Sequence, residues 1–223
     1  FRIYQLYLYI VKIEVWSDIA RPFCYLGKRQ LMNAIKKVPY SGEITIIWKS
    51  FELNPDINTQ ENRTVNEYLH KTRGMSLEQI EVMQSRIKEQ AKNLGVEFNF
   101  DKTKMYNTRK AHALLHIAQK SNLGNEIKEE LFRHHFTLGS NLMDDTILQG
   151  IAETFQLDVS PWGDDPFNHP ELADEITLDQ YQAQQVGARG VPFFIFDGQY
   201  SLSGAHGEDV IYKVMDTVKV KTT

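Results

Sequence analysis

The residues best suited to chemistry gather in one turn, Ser17-Asp18-Ile19-Ala20-Arg21-Pro22-Phe23-Cys24. A thiol one turn into a helix lies close to unpaired N–H groups and a partial positive charge, an environment that stabilises a thiolate, a carboxylate or a bound anion. Burial acts the other way, raising a thiol's pKa, while a neighbouring cation such as Arg21 lowers it. Two readings of Cys24 therefore stay open, a reactive thiol and a small buried hydrophobe. Arg21 likewise reads either as a solvated side chain or as a hook for a substrate carboxylate.

A second constellation is Gly190-Val191-Pro192-Phe193. A proline at the head of an apolar strand removes a ladder donor. It is either a trans residue that starts the strand, or a cis bond that turns the Val191 backbone toward a crevice, where it can pair with an extended peptide. Asn54 and Asp56 are candidates for lining that crevice and are also good turn formers. Asn107 reads as a helix cap. His112 and His116 share a helix face at i, i+4, which suits a metal only beside a carboxylate; His134 and His135 are adjacent and so point different ways. No metal site is expected, and lining the cleft is the role expected of His112.

These residues need elements to position them. Residues 12–16 alternate and are rich in strand formers, and Ser17, Asp18 and Pro22 then mark a strand passing into a helix. That helix carries Tyr25, Leu26, Leu31, Ile35 and Val38 and ends before Pro39. Residues 43–51 make a second strand, so strand, helix and strand form a right-handed βαβ unit. Between about 64 and 185 the pattern turns helical. A capping box at Ser76 opens a helix with Ile80, Met83, Ile87, Ala91 and Leu94 on one stripe. Further helices are expected over about 107–121, 125–138, from a cap at Asp145, and from Pro170 to Gly187. Residues 191–196 and 199–203, joined by Asp197-Gly198, make a hairpin, and a closing helix spans about 209–218. The open α/β sheet places a crevice at the strands' carboxyl ends, beside Arg21 and Cys24.

The totals narrow the function classes. The 223 residues suffice for one large domain or a core with a second lobe. A net charge of −4 with scattered basic residues argues against nucleic acid. One cysteine rules out a structural disulfide framework and a cysteine-based zinc site. No apolar run reaches the roughly 18–20 residues of a membrane span, and residues 1–10, short and aromatic without a small-residue cleavage site, do not read as a signal peptide but as an extra segment. A cytoplasmic protein without membrane contact is expected.

The segment from Val15 to Lys28 resembles the active-site stretch of the DsbA-like thioredoxin-fold family, and more narrowly the FrnE-type dithiol–disulfide isomerases. Phe51-Glu52-Leu53-Asn54-Pro55, Asn107-Thr108 with Ala111-His112, Leu131-Phe132 on to Gly139, and Gly187 on to Gly204-Ala205-His206 follow in the family's order. The resemblance implies a thioredoxin-like α/β fold built from 11–62 and 186–223, an all-helical insertion over 63–185, and Pro192 as the fold's cis-proline. It implies a thiol–disulfide oxidoreductase or isomerase acting on protein or peptide thiols and disulfides, as a monomer or homodimer. Cys24, Arg21 and Pro192 are then the catalytic positions, and Val191, Pro22, Phe23, Asn54 and His112 the substrate-binding ones. The family reads Cys-Pro-x-Cys, however, and Arg21 stands where the first, exposed cysteine belongs, so Cys24 has no partner within the chain. The implied activity is then impaired, or runs through Cys24 with glutathione as an external thiol and no resident cofactor. Two other readings are a glutathione-dependent isomerase or transferase of the 2-hydroxychromene-2-carboxylate isomerase or kappa type, and a non-catalytic peptide binder.

Overall fold

The computed structural model describes residues 10–57 and 63–222; all but the last of the opening ten residues lie outside them. Strand β1, Val11–Ser17, buries Val11, Ile13 and Val15 on one face and Trp16 on the other. It runs parallel to β2, Ile44–Ser50, in register from Val11 with Ile44 to Ser17 with Ser50. Helix α1, Pro22–Lys37, connects the two. Proline at its first position has no N–H to lose, and Val38 and Pro39 follow its last turn. Strand β3, Phe193–Phe196, pairs antiparallel with β1, and β4, Tyr200–Ser203, pairs antiparallel with β3, giving the order β2-β1-β3-β4. The β3–β4 turn places Asp197 and Gly198 both at positive φ, as a two-residue hairpin demands.

Between β2 and β3 come α2, Val65–Arg73; α3, Leu77–Lys92; α4, Arg109–Lys120; α5, Gly124–Phe132; α6, Asp145–Thr154; and α7, Pro170–Gln185. A closing helix α8, Glu208–Thr222, packs on α1. Phe194 reaches Gly27 of α1 on one side of the sheet, while Trp16 Nε1 donates to the Asp179 carbonyl of α7 at 2.9 Å on the other. Helices thus cover both faces. Three details depart from the sequence expectation. α2 was not anticipated as a separate helix, although its Thr64-to-Glu67 capping box is complete. The fourth expected helix is capped by Asp144, which accepts from Thr146 N, and not by Asp145. The helix begun at Gly124 also widens into a π-turn over Arg133–Leu138 before Gly139 ends it in the left-handed conformation.

Side chains fasten the helices to the sheet. Gln119 of α4 accepts from Trp48 N at 2.7 Å and donates to Trp48 O at 2.9 Å, so its carboxamide occupies the outer edge of β2. Arg109 binds Glu52 at 2.8 Å, the Ala173 carbonyl at 2.9 Å and Thr177 at 3.1 Å, which ties the loop after β2 to α4 and α7. Tyr25 and Lys28 of α1 both donate to Glu129 of α5 at 2.6 Å. Among the described residues no helix is long and apolar enough to cross a membrane.

Candidate active site at the first turn of α1

The turn after β1 is built around a buried carboxylate. Asp18 Oδ1 accepts from Ala20 N at 3.1 Å and Thr108 Oγ1 at 2.9 Å, and Oδ2 accepts from Leu53 N at 2.8 Å. Three chain segments are thereby fixed to one side chain. Burial alone would raise the Asp18 carboxyl; His112 beside it and the Leu53 and Ala20 amides outweigh that and hold it below its ordinary value. His112 Nε2 stands 3.7 Å from Asp18 Oδ1, beyond hydrogen-bond reach, and neither ring nitrogen has a partner. Burial lowers the His112 pKa, against the attraction of Asp18. Fully enclosed, His112 lines no surface of the cleft, contrary to the role expected for it. His116 instead bonds Ser50 Oγ at 2.9 Å and Glu175 at 3.0 Å, so the two histidines do not converge.

Arg21 caps α1 with its backbone while its own side chain makes no capping bond. Its guanidinium carbon lies 5.9 Å from the Phe23 ring centroid, and its Nε is buried without a partner. Arg21, Pro22 and Phe23 line one wall of an apolar cavity of about 350 Å3 between α1 and the α2–α3 pair. Cys24 is turned inward and only 1% exposed. Burial pushes its thiol up to about 11, although Lys128 pulls the other way.

Lys128 is the residue that sequence reading missed. It is fully buried on α5, its Nζ donates to the Ser17 carbonyl at 3.3 Å, and it lies 5.0 Å from the Phe132 ring centroid. Burial lowers its pKa to about 8, against the attraction of Cys24 and Asp18. In a Cys24→Ser variant, which removes the thiol titration, Lys128 holds its proton in the unfolded chain but not in the native one between about pH 8 and the ordinary lysine value, while burial of Tyr25 and Tyr106 acts in the opposite sense as pH nears 10. The Lys128 contribution to stability, read as the difference from the same variant carrying Lys128→Met, should therefore rise with pH across that window, by at most ~1.4 kcal/mol per pH unit. Urea unfolding of the two proteins at pH 8 and pH 10 measures this.

The Val191–Pro192 peptide is cis. Both residues are buried, with Val191 3% exposed, and neither lines the cavity beside Arg21. Pro192 packs on Gly27, where an added methyl would fall 2.9 Å from Pro192 Cγ and 3.2 Å from Phe194 Cζ. Gly27→Ala should cost up to about 2 kcal/mol, the remainder of ~1–3 kcal/mol of overpacking after the ~1 kcal/mol gained in helix propensity. Thermal melts of the two proteins test it. Asn54 donates to Tyr68 Oη at 3.1 Å and lines a smaller cavity of about 220 Å3 with Asp18, Arg21 and Arg73. Thr108, and not Asn107, is the N-cap of α4; Asn107 stands just before it, accepting from Arg109 N at 2.8 Å and donating to the Pro55 carbonyl. Among the described residues no group of three or more His, Cys, Asp or Glu side chains can hold a metal ion.

A strand–helix–strand unit, a returning hairpin, a cis-proline against α1 and a cysteine one turn into that helix define a recognisable frame. Residues 12–216 match the DSBA-like thioredoxin domain. The chain belongs to that family. A probable DsbA oxidoreductase, SCO1869 from Streptomyces coelicolor, superposes with a TM-score of 0.88 at 29% identity, covering 96% of this chain and 92% of that one. The uncharacterized protein YwbO of Bacillus subtilis is 28% identical over 95% of this chain and 98% of its own length. The cytosolic disulfide reductase DsbM of Pseudomonas aeruginosa shares the fold at a TM-score of 0.64 and 15% identity, covering 95% of this chain and all of that one. Within this DsbA-like frame, Arg21-Pro22-Phe23-Cys24 opens α1, and Cys24 is the one cysteine of the sequence.

Proposed function

We propose that this chain is a FrnE-type thiol–disulfide oxidoreductase of the DsbA-like family whose own exchange chemistry is impaired, with an external thiol such as glutathione or a cysteinyl peptide supplying the missing sulfur. The burial of Cys24 behind Arg21 carries this reading. Disulfide exchange needs a thiolate with access to the sulfur it attacks. A thiol pushed up to about 11 is ionised in roughly one molecule in ten thousand at pH 7, and this one is enclosed as well. DsbM, solved with GSH, shares the fold and so supports a glutathione-sized ligand. Cys24, Arg21 and Pro192 remain the proposed catalytic positions, with Pro22, Phe23, Asn54 and the Val191 backbone as the proposed ligand contacts.

Intact-protein mass after incubation with oxidised glutathione tests the impairment. Folded protein should gain no adduct, whereas denatured protein should gain one that Cys24→Ser lacks. A Cys24-dependent adduct on the folded protein would overturn it. Titration calorimetry tests the external thiol: reduced glutathione should bind both the native protein and Cys24→Ser, and no heat with either would sink that part. A 2-hydroxychromene-2-carboxylate isomerase shares the fold at a TM-score of 0.69 and 13% identity. Glutathione binding that survives Cys24→Ser, together with turnover of such an aromatic carboxylate, would favour the isomerase reading.

A further inference from the structure

The two cavities beside Arg21 adjoin and have unlike linings, sharing Ala20, Arg21, Leu53, Tyr68, Leu69 and Met105 as common walls. The larger cavity, about 350 Å3, is walled by Phe23, Val65, Met83, Ile87, Phe100 and Phe136. The smaller cavity, about 220 Å3, brings Arg73 of α2 into the same lining as Arg21, with the Asn54 amide and Tyr68 hydroxyl between them. Among the described residues neither guanidinium is ion-paired or hydrogen-bonded: Arg73 rests 5.8 Å from the Tyr68 ring centroid, Arg21 5.9 Å from that of Phe23, and the Arg21 Nε is buried and unpartnered. The acidic group facing this smaller cavity is Asp18, whose oxygens already accept from three donors. The buried, unpartnered Arg21 Nε lacks an acceptor, and the exposed Arg73 adds a second guanidinium beside it, so an anion with an apolar body suits the two cavities together.

We propose that these adjoining cavities are together a binding site for small amphipathic carboxylates, with the carboxylate between Arg21 and Arg73 and an aryl or alkyl body in the apolar chamber. The combined geometry suits such a molecule better than a peptide, because the chamber is walled by side chains of α1, α2 and α3 together with Leu53, Phe100 and Met105, and offers no strand edge. The ligand carries no thiol, so the inference goes beyond the function proposed above and does not depend on Cys24. The chamber lies within the ordinary range of small-molecule pockets.

Titration calorimetry with phenylbutyrate, and with phenylbutanol as its uncharged counterpart, tests this. Phenylbutyrate should bind at least about tenfold more tightly than the alcohol, a carboxylate–guanidinium contribution of the usual size. Arg73→Gln, at an exposed position outside the core, should remove about tenfold of the phenylbutyrate affinity and leave the alcohol unchanged. Met83→Trp, which fills the chamber, should weaken both. Equal binding of acid and alcohol would overturn the paired-arginine site, and so would an Arg73→Gln protein that holds phenylbutyrate as tightly as the native one. Absence of binding by either compound would overturn the proposal outright.

Discussion

Arg21→Cys is expected to give this chain a disulfide reductase activity far above that of the native protein. The position is the N-cap of a 16-residue helix and is partly exposed, so a thiol there sits at the positive end of the helix with access to solvent. Spacing of three residues in the first turn brings the two β-carbons within about 5–6 Å, inside the range from which small backbone shifts close a disulfide. Cys24, buried beneath, is then in place to resolve a mixed disulfide. The expected gain in turbidimetric insulin reduction with excess dithiothreitol is at least ~10²-fold over the native chain, modest beside the ~10⁶-fold cost of removing a catalytic nucleophile from a protease. If the variant stays at the native rate although mass spectrometry finds both thiols reduced, the scaffold has lost more than one sulfur.

The largest stability effect is expected at Asp18. Its carboxylate links the turn before α1, the loop after β2 and the start of α4 through Ala20, Leu53 and Thr108, and it is the buried anion whose attraction acts on Lys128. Asp18→Ala leaves the Ala20 and Leu53 amides and the Thr108 hydroxyl without their acceptor and takes a nearby negative charge away from the buried Lys128. Breaking such an arrangement from one side costs about 3–5 kcal/mol, which for a chain of this length lowers Tm by on the order of 10 °C. The double variant Asp18→Ala with Lys128→Met should recover a substantial part, since the stranded charge leaves with the lysine. Urea unfolding of the singles and the double forms the cycle. A double variant as unstable as the sum of the singles would mean that Asp18 and Lys128 do not act on one another.

The same residues mark where sequence reading succeeds and where it stops. β1, α1, β2 and the hairpin declare themselves through period and turn chemistry, because each buries one face and each is bounded by proline, glycine or aspartate. Cys24 could not be placed from its type, since helix position and burial act on a thiol in opposite directions; only packing decides, and it decides for burial. His112 sits on the right helix but points into the core, a distinction of one residue around the helix that a cleft-lining role does not survive. Lys128 was missed because lysines are rarely enclosed. A signal was nonetheless present, for position 128 falls on the stripe of Gly124, Ile127, Leu131 and Phe132, all buried. Arg73 was missed with its helix, although Thr64 and Glu67 spell the cap that starts it.

The carboxamide of Gln119 has a meaning beyond this fold's interior. At Trp48 it does for one residue what a neighbouring strand does for a whole sheet margin, filling both main-chain valences of β2 from a side chain. A strand arriving from another molecule along this margin meets an occupied rung at residue 48 and must evict the glutamine to go further. The margin is therefore a poor seed for fibrils or for a sheet shared between copies.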